Sequence, residues 1–431
     1  MRRRIFGILA LMLAGAPLAA RAADVANGGD EAEERFTVIK AGKIITVSGK
    51  DIDDGLIVIV NGKIRNVGKS LEYPGNAKVI DAGNRVVMPG LINPHSRFRL
   101  PPVPRDGVHA DKAVADEYFP HEPDYEVLLD AGYTSIALTP LGPQMPGRAL
   151  VTRTGGPDKE RVLSSPAYVK VAPDKKAFLD ALDKAQKEIE KVDKARKEFE
   201  DKQKQAKPPA SQPAAAPGSA PASQPASAPA SQPAFTPPPI EPAYQPLVDL
   251  IQKKEGVQAL IELRGASDYL HFADVLERFD VAHAFVCRNL GRSDLFNVAD
   301  KLGEKKARIV LCPTVNVVPF SAERVNVVRE LNLAGCEVSL APMTDADAEA
   351  SRVLRRAAEL VRDGWKREDA LKALTLNPAR LLGLDKRLGT IEKDKDADLI
   401  FLDQDPLRTT ARVREVMIAG EIVRRVKEET R

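Results

Sequence analysis

The stretch Val86-Val87-Met88-Pro89-Gly90-Leu91-Ile92-Asn93-Pro94-His95-Ser96-Arg97 decides the fold. Its first residues form a strand-like apolar run, and Pro89-Gly90 punctuates the chain before a second run begins at Leu91. Strand side chains alternate between two faces, so His95 and Arg97 share one face and Ser96 takes the other. The stretch joins a region of short strands to one that carries ionisable groups on a strand.

On its N-terminal side, residues 36–39, 43–47, 55–60, 63–68 and 79–81 are strand-like. Asn61-Gly62 between two apolar runs is a strong hairpin signal. Residues 36–90 therefore read as a small antiparallel sheet. Residues 397–402, 413–418 and 420–423 read as further strands of the same sheet, contributed by the other chain end.

On its C-terminal side, residues 91–386 alternate between strands and helices. Residues 134–138, 259–263, 284–287, 307–311 and 337–340 have strand patterns, and 267–278 and 347–362 have amphipathic helical patterns. Such alternation argues for a parallel α/β fold, for which a barrel is one solution. An insertion interrupts it. Residues 176–206 read as a charged helix with a narrow stripe of Phe178, Leu182, Ala185, Ile189, Val192 and Phe199. Residues 207–243 are rich in Pro, Ala and Ser and repeat Ala-Ser-Gln-Pro-Ala three times, which is expected to leave an extended, mobile linker.

A chain of 431 residues with 43% hydrophobic content suits one large domain and one smaller one. The 64 basic and 61 acidic residues nearly cancel, so neither nucleic acid nor an anionic membrane is expected as a partner. Cys287, Cys312 and Cys336 are too few and too scattered for a disulfide framework and read as small buried hydrophobes. Arg2, Arg3 and Arg4, an apolar run over 5–19 and Ala20-Arg21-Ala22 read as a secretory signal covering residues 1–22, followed by a polar leader over 23–35. Arg3-Arg4-Ile5-Phe6 shares a feature of twin-arginine signals. The expected location is periplasmic or secreted, and no other stretch has the ~18 apolar residues of a membrane span.

The 86–97 stretch resembles the first barrel strand of the amidohydrolase superfamily, where a Pro-Gly-Leu-Ile-Asp run leads into a His-x-His pair. Residues 368–384, 389–392 and 395–407 resemble the end of that family's barrel and the run that follows it, and 145–151 and 266–270 also fit. The resemblance is to the imidazolonepropionase-like and dipeptidase-like branch. It implies a (β/α)8 TIM-like barrel over 91–386 and a small composite β-sandwich built from 36–90 and 387–428. It also implies hydrolysis of C–N bonds by zinc or another divalent metal, and allows a homodimer. The metal ligands would be a His-x-His pair, a Lys or Glu on the fourth strand, His on the fifth and sixth, and an Asp on the eighth that also shuttles protons.

The sequence departs from that pattern. The first pair is His95 and Arg97, and an arginine cannot ligate a metal. Glu262 or Arg264 stands at the fifth-strand position and Cys287 or Arg288 at the sixth. No Lys or Glu stands out on the fourth. Asp345, rather than Asp347, fits the eighth. His109 and His121 fall in a polar loop, His271 on a helix and His283 at a strand start. His95 and Asp345 alone survive as vestigial ligands, with Asp345 catalytic only in an active enzyme. Arg97, Arg264 and Arg288 are expected to meet Glu262 and Asp345 in salt bridges, or to bind an anionic small molecule or peptide. The favoured reading is a metal-free pseudoenzyme that binds a ligand; the alternative is an active metal-dependent hydrolase.

Overall fold

The computed structural model describes residues 34–119, 124–206, 234–288, 294–317, 322 and 324–426. Residues 1–22, read from the sequence as an export signal, most of the expected polar leader and residues 207–233 of the Pro/Ala/Ser-rich segment lie outside them. The N-terminal strands are β1 (Phe36–Ile44), β2 (Ile52–Val60), β3 (Lys63–Gly68), β4 (Lys78–Asp81) and β5 (Val86–Pro89). Next come β6 (Leu91–Ser96), β7 (Tyr133–Leu138), β8 (Gly147–Arg148), β9 (Leu150–Arg153), β10 (Val162–Ser164) and β11 (Val169–Val171). They are followed by β12 (Ala259–Glu262), β13 (His283–Cys287), β14 (Arg308–Leu311), the small pair β15 (Asn316–Val317) and β16 (Arg324–Val325), and β17 (Glu337–Leu340). The last three are β18 (Leu399–Leu402), β19 (Val413–Ile418) and β20 (Glu421–Arg425).

Strands from both chain ends share one sheet in the order β20-β19-β18-β5-β1-β2-β3, with β4 also on β1. Asn61 and Gly62 turn at φ 49° and 79°, as a two-residue hairpin requires. The sheet is mixed rather than antiparallel throughout: β4 and β5 both run parallel to β1, on successive parts of its length. β5 then accepts β18 antiparallel on its other side, from Leu399 opposite Pro89 to Leu402 opposite Val86.

The inner strands form two ladders, β10-β9-β7-β6 and β17-β14-β13-β12-β11-β8. Residues 147–153 belong to both. Between β8 and β9, the Ala149 N–H donates to Tyr168 O and its carbonyl accepts from Ala167 N–H, each at 2.9 Å. At the far end β17 packs beside β6. Not all inner strands are parallel, as the alternation suggested. The 147–153 run is antiparallel to both β7 and β11. The reason is chain length. Only residues 139–146 separate β7 from β8, with no helix, whereas a parallel return needs a crossover of a dozen or more.

Alternate residues of these strands enter different cores. Ile92, Ala137, Val151, Leu260, Val286 and Val310 form one buried cluster. Leu91, Ile136, Leu138, Ile261, Phe285 and Ile309 belong to another, shared with the helices. Burial on both faces with a period of two is what a helix-covered sheet requires. The helix Ala266–Phe279 covers the expected span, while the helical pattern at 347–362 is split into Asp347–Ala350 and Val353–Arg362.

The charged helix runs Lys175–Ala206. Its stripe is fully used only at the start, where Phe178, Ala181, Leu182 and Ala185 are buried and Phe178 meets Phe272. The described end of the Pro-rich segment is not free. Phe235 packs on Phe199, and Lys184 Nζ donates to the Tyr244 hydroxyl at 3.2 Å. Residues 184 and 199 are about 22 Å apart along a helix, so 235–244 returns antiparallel beside it.

Residues 97–119 lie as a strap across the β7–β8 connection, with bridges Pro104–Leu141, Val108–Met145 and Ala113–Arg148. Gly142, at φ 141°, permits this. A Cβ there would sit 1.9 Å from Arg105 O.

Candidate functional site at the strand ends

Six ionisable side chains converge at the C-terminal ends of the inner strands, where α/β sheets place their ligands. His95 comes from β6, Lys170 from β11 and Glu262 from β12. Arg97 and Arg288 directly follow β6 and β13, and Asp345 lies in the loop after β17.

Arg288 is the centre of the cluster. Its Nη1 lies 3.4 Å from His95 Nδ1 and 3.3 Å from Asp345 Oδ2, and its Nε donates to Pro342 O at 3.0 Å. Asp345 Oδ1 accepts a 2.8 Å bond from Ser96 Oγ, so both carboxylate oxygens are engaged. Ser96 thus joins the same cluster as His95 rather than facing away from it, next to an irregularity in the β6–β7 ladder between Asn93 and Ser96. Lys170 Nζ lies 3.5 Å from Glu262 Oε2; the lysine side chain is 8% exposed and the glutamate 40%. Burial pushes the Lys170 ammonium below its ordinary value, against the pull of Glu262, and Arg97 and Arg288 act in the same direction as burial.

His95 is 7% exposed, and its Nε2 has no hydrogen-bond partner among the described residues. Burial first, then Arg288, Lys170 and Arg97, hold its proton affinity well below that of an ordinary histidine. It is therefore neutral at pH 7. The unfolded chain takes up this proton near pH 6.5 and the native fold resists it. The stability tied to neutral His95 is thus full above that pH and is lost as pH falls below it. Urea midpoints of the wild type should drop between pH 7.5 and 5.5, and His95→Gln should flatten part of the drop. His283, half-buried and shifted the same way, contributes in the same direction. Equal slopes in both proteins would contradict this account of His95.

Two expectations need correction. Arg264 does not enter the cluster. Its Nε and Nη2 donate to Asp268 at 2.8 and 2.9 Å, and its side chain is 70% exposed. A carboxylate one helical turn away, at i+4, captures it more cheaply than a partner across the strand ends. Glu262, in turn, pairs with Lys170 rather than with an arginine. The fourth-strand lysine that the sequence reading did not single out is Lys170. Strand β11 is three residues long, and the long insertion behind it obscures the register. The signal present was a lone lysine inside the apolar run Tyr168-Val169-Lys170-Val171.

Arg97 points along the strap. Its Nη1 donates to Thr139 O at 2.6 Å and its Nη2 to Pro101 O at 2.7 Å. It adds charge to the site without pairing a carboxylate there. Cys287 packs into the outer core, so Arg288 is the sixth-strand group that reaches the site. Cys312 is buried, and burial pushes its thiol up to about 11, which makes it inert. His109 Nε2 bonds Asp106 O, His271 is exposed on its helix, and His283 Nδ1 bonds Val281 O at the opposite strand end. His121 lies outside the described residues.

Residues 131–423 match the amidohydrolase family. The chain belongs to that family. A dihydroorotase of Geotalea daltonii is 44% identical over 64 residues, which is 15% of this chain and 15% of that protein. The matched segment is thus a small part of either, and the likeness says nothing about a shared substrate. An amidohydrolase from Thermotoga maritima superimposes with a TM-score of 0.67 at 23% identity, over 90% of this chain and 100% of that one. A zinc-bound adenosine deaminase from Xanthomonas campestris gives 0.50 at 15% identity, over 90% and 92%. These likenesses show the fold.

Members of the family typically depend on a metal. The described residues of this chain do not fit one. Among the described residues no group of three or more His, Cys, Asp or Glu side chains converges. The guanidinium of Arg288 stands between His95 and Asp345, where an ion shared by the two would stand. A zinc site needs about three protein ligands, and a fixed positive charge 3.4 Å from the one imidazole opposes the ion.

Proposed function

We propose that this amidohydrolase-family protein is a metal-free, hydrolytically impaired member that binds a small carboxylate-bearing ligand at the strand ends, outside the cytoplasm. The observation that carries the reading is Arg288, which bridges His95 and Asp345. Its charge takes the electrostatic place of the ion and needs no ligand set. Without a metal there is no Lewis acid for the amide carbonyl and no lowered pKa for an attacking water. Three cations, Arg97, Lys170 and Arg288, face two carboxylates, Glu262 and Asp345, so the cluster has room for one more negative charge. Guanidinium groups suit carboxylates because their N–H pairs match the two oxygens.

The reading takes β6, β7, the 147–153 run, β11–β14 and β17 as a closed TIM-like barrel, with the site at its C-terminal mouth. The contact of β17 with β6 and the shared 147–153 run support closure. It takes the eight-stranded sheet as a composite β-sandwich domain of 36–90 and 387–428. The basic and apolar start of the chain supports export. Among the described residues no helix is long and apolar enough to cross a membrane.

Calorimetric titration with lactate tests the binding claim. Saturable binding at one site per chain, unchanged by prior EDTA treatment, is expected. Binding that disappears with EDTA would mean that a metal, not Arg288, holds the acid.

A further inference from the structure

We infer that the N-terminal ends of β13 and β14 carry a second small-molecule site, which takes a hydroxylated aromatic carboxylate. The inference is independent of the acid site at the C-terminal strand ends and stands or falls separately from it.

A cavity of about 610 Å³ opens there, within the range of roughly 300–1,000 Å³ usual for small-molecule sites. The helix Ala266–Phe279, the starts of the two strands and the turn before β14 enclose it. Strand β13 runs between His283 and Arg288, so about 16 Å of extended chain separates this cavity from the Arg288 cluster.

The floor is aromatic. Phe285 is buried, and the rings of Tyr269 and His283 stand against it at centroid distances of 5.6 and 5.1 Å and angles of 82° and 66°. Two polar atoms in this floor are left over. Tyr269 is 6% exposed, yet its hydroxyl has no hydrogen-bond partner among the described residues. A buried hydroxyl without a partner carries a desolvation cost that a bound ligand removes. His283 Nδ1 lies 2.7 Å from Val281 O, and a carbonyl only accepts, so Nδ1 carries the proton. Burial, aided by Arg308, opposes a second proton on the ring. Nε2 therefore presents a lone pair and calls for a donor.

The rim is cationic. Lys305, Lys306 and Arg308 line the cavity against Glu277 and Asp280. Asp280 is already paired with Lys253. Lys305 and Lys306 are exposed and form no salt bridge among the described residues. The surplus of positive charge calls for an anion. A ring with a hydroxyl at one end and a carboxylate at the other answers floor and rim together. Its hydroxyl supplies the donor that Nε2 lacks and is a partner for Tyr269, and its carboxylate meets the lysines.

Calorimetric titration of the whole protein with 4-hydroxybenzoate tests the inference. One saturable site per chain is expected, even in excess lactate. Benzoate, which lacks the hydroxyl, and 4-hydroxybenzyl alcohol, which lacks the charge, should each bind roughly ten-fold more weakly. His283→Phe keeps an aromatic ring and should erase the preference for 4-hydroxybenzoate over benzoate. Lys305→Gln combined with Lys306→Gln, both in an exposed turn, should erase the preference over the alcohol, and this variant decides the matter if His283→Phe folds poorly. Absence of saturable binding, or equal affinity of the wild type for 4-hydroxybenzoate and benzoate, overturns the inference. So does an affinity unchanged in the double lysine variant. Displacement by lactate would place the aromatic acid in the Arg288 cluster and overturn it too, while leaving the acid-binding reading of that cluster intact.

Discussion

Replacing Arg153 with Met is expected to lower the unfolding free energy by ~3–5 kcal/mol, the usual cost of stranding a buried charge. Arg153 lies on β9, and its side chain is 5% exposed. Its Nε donates to Asp398 Oδ2 at 3.0 Å, and its Nη2 to Asp396 Oδ2 at 2.8 Å and Asp398 Oδ1 at 3.3 Å. Asp396 keeps Lys63 and Arg387 as further partners, and these hold its carboxyl below the ordinary range despite burial. Asp398 has no such reserve. Burial already pushes its carboxyl up, and apart from Arg153 it has the Ala419 N–H. The guanidinium therefore ties the inner strands to the turn that opens β18 in the shared sheet. Urea unfolding measures the loss, and adding Asp398→Asn to Arg153→Met should recover part of it, since the two changes act on one pair. A loss within ~1 kcal/mol for Arg153→Met would mean that water already screens the network.

The second large effect concerns the site. Arg288→Met should weaken lactate binding by roughly ten- to a hundred-fold, the range for one charge-assisted hydrogen bond of about 1.5–3 kcal/mol. Among the described residues the variant also leaves Asp345 with Ser96 as its hydrogen-bond partner. Arg264→Met should leave the affinity unchanged, because that guanidinium is spent on Asp268 outside the cluster. Calorimetry on the two variants separates a specific contact from a general loss of positive charge. Equal weakening in both would point to long-range attraction rather than to the Arg288 contact.

Much of this protein can be read from its sequence, and the parts that cannot have physical reasons. The strands of both chain ends are legible because short apolar runs and an Asn-Gly turn are local signals. Their parallel pairings are not, since β4 and β5 choose β1 through contacts distant in sequence. The antiparallel 147–153 run was implicit in the eight-residue link before it, a length too short for a crossover. His95, Arg97, Arg288 and Asp345 are legible because the strand that carries each has a distinctive neighbourhood. Arg264 misleads because a strand position says which face a side chain leaves, not which partner captures it. Lys170 escapes notice because its meaning depends on burial and on Glu262, 92 positions further along the chain.

The central claim is that arginine charge replaces metal at the strand ends. Elemental analysis of the protein, purified without chelators or metal-affinity resin, tests it most directly. The expected result is far less than one zinc or other transition metal per chain, in a preparation that is folded and binds lactate. One tightly held metal per chain, lost together with lactate binding on chelation, would contradict the claim and return the protein to the metal-dependent hydrolases of its family.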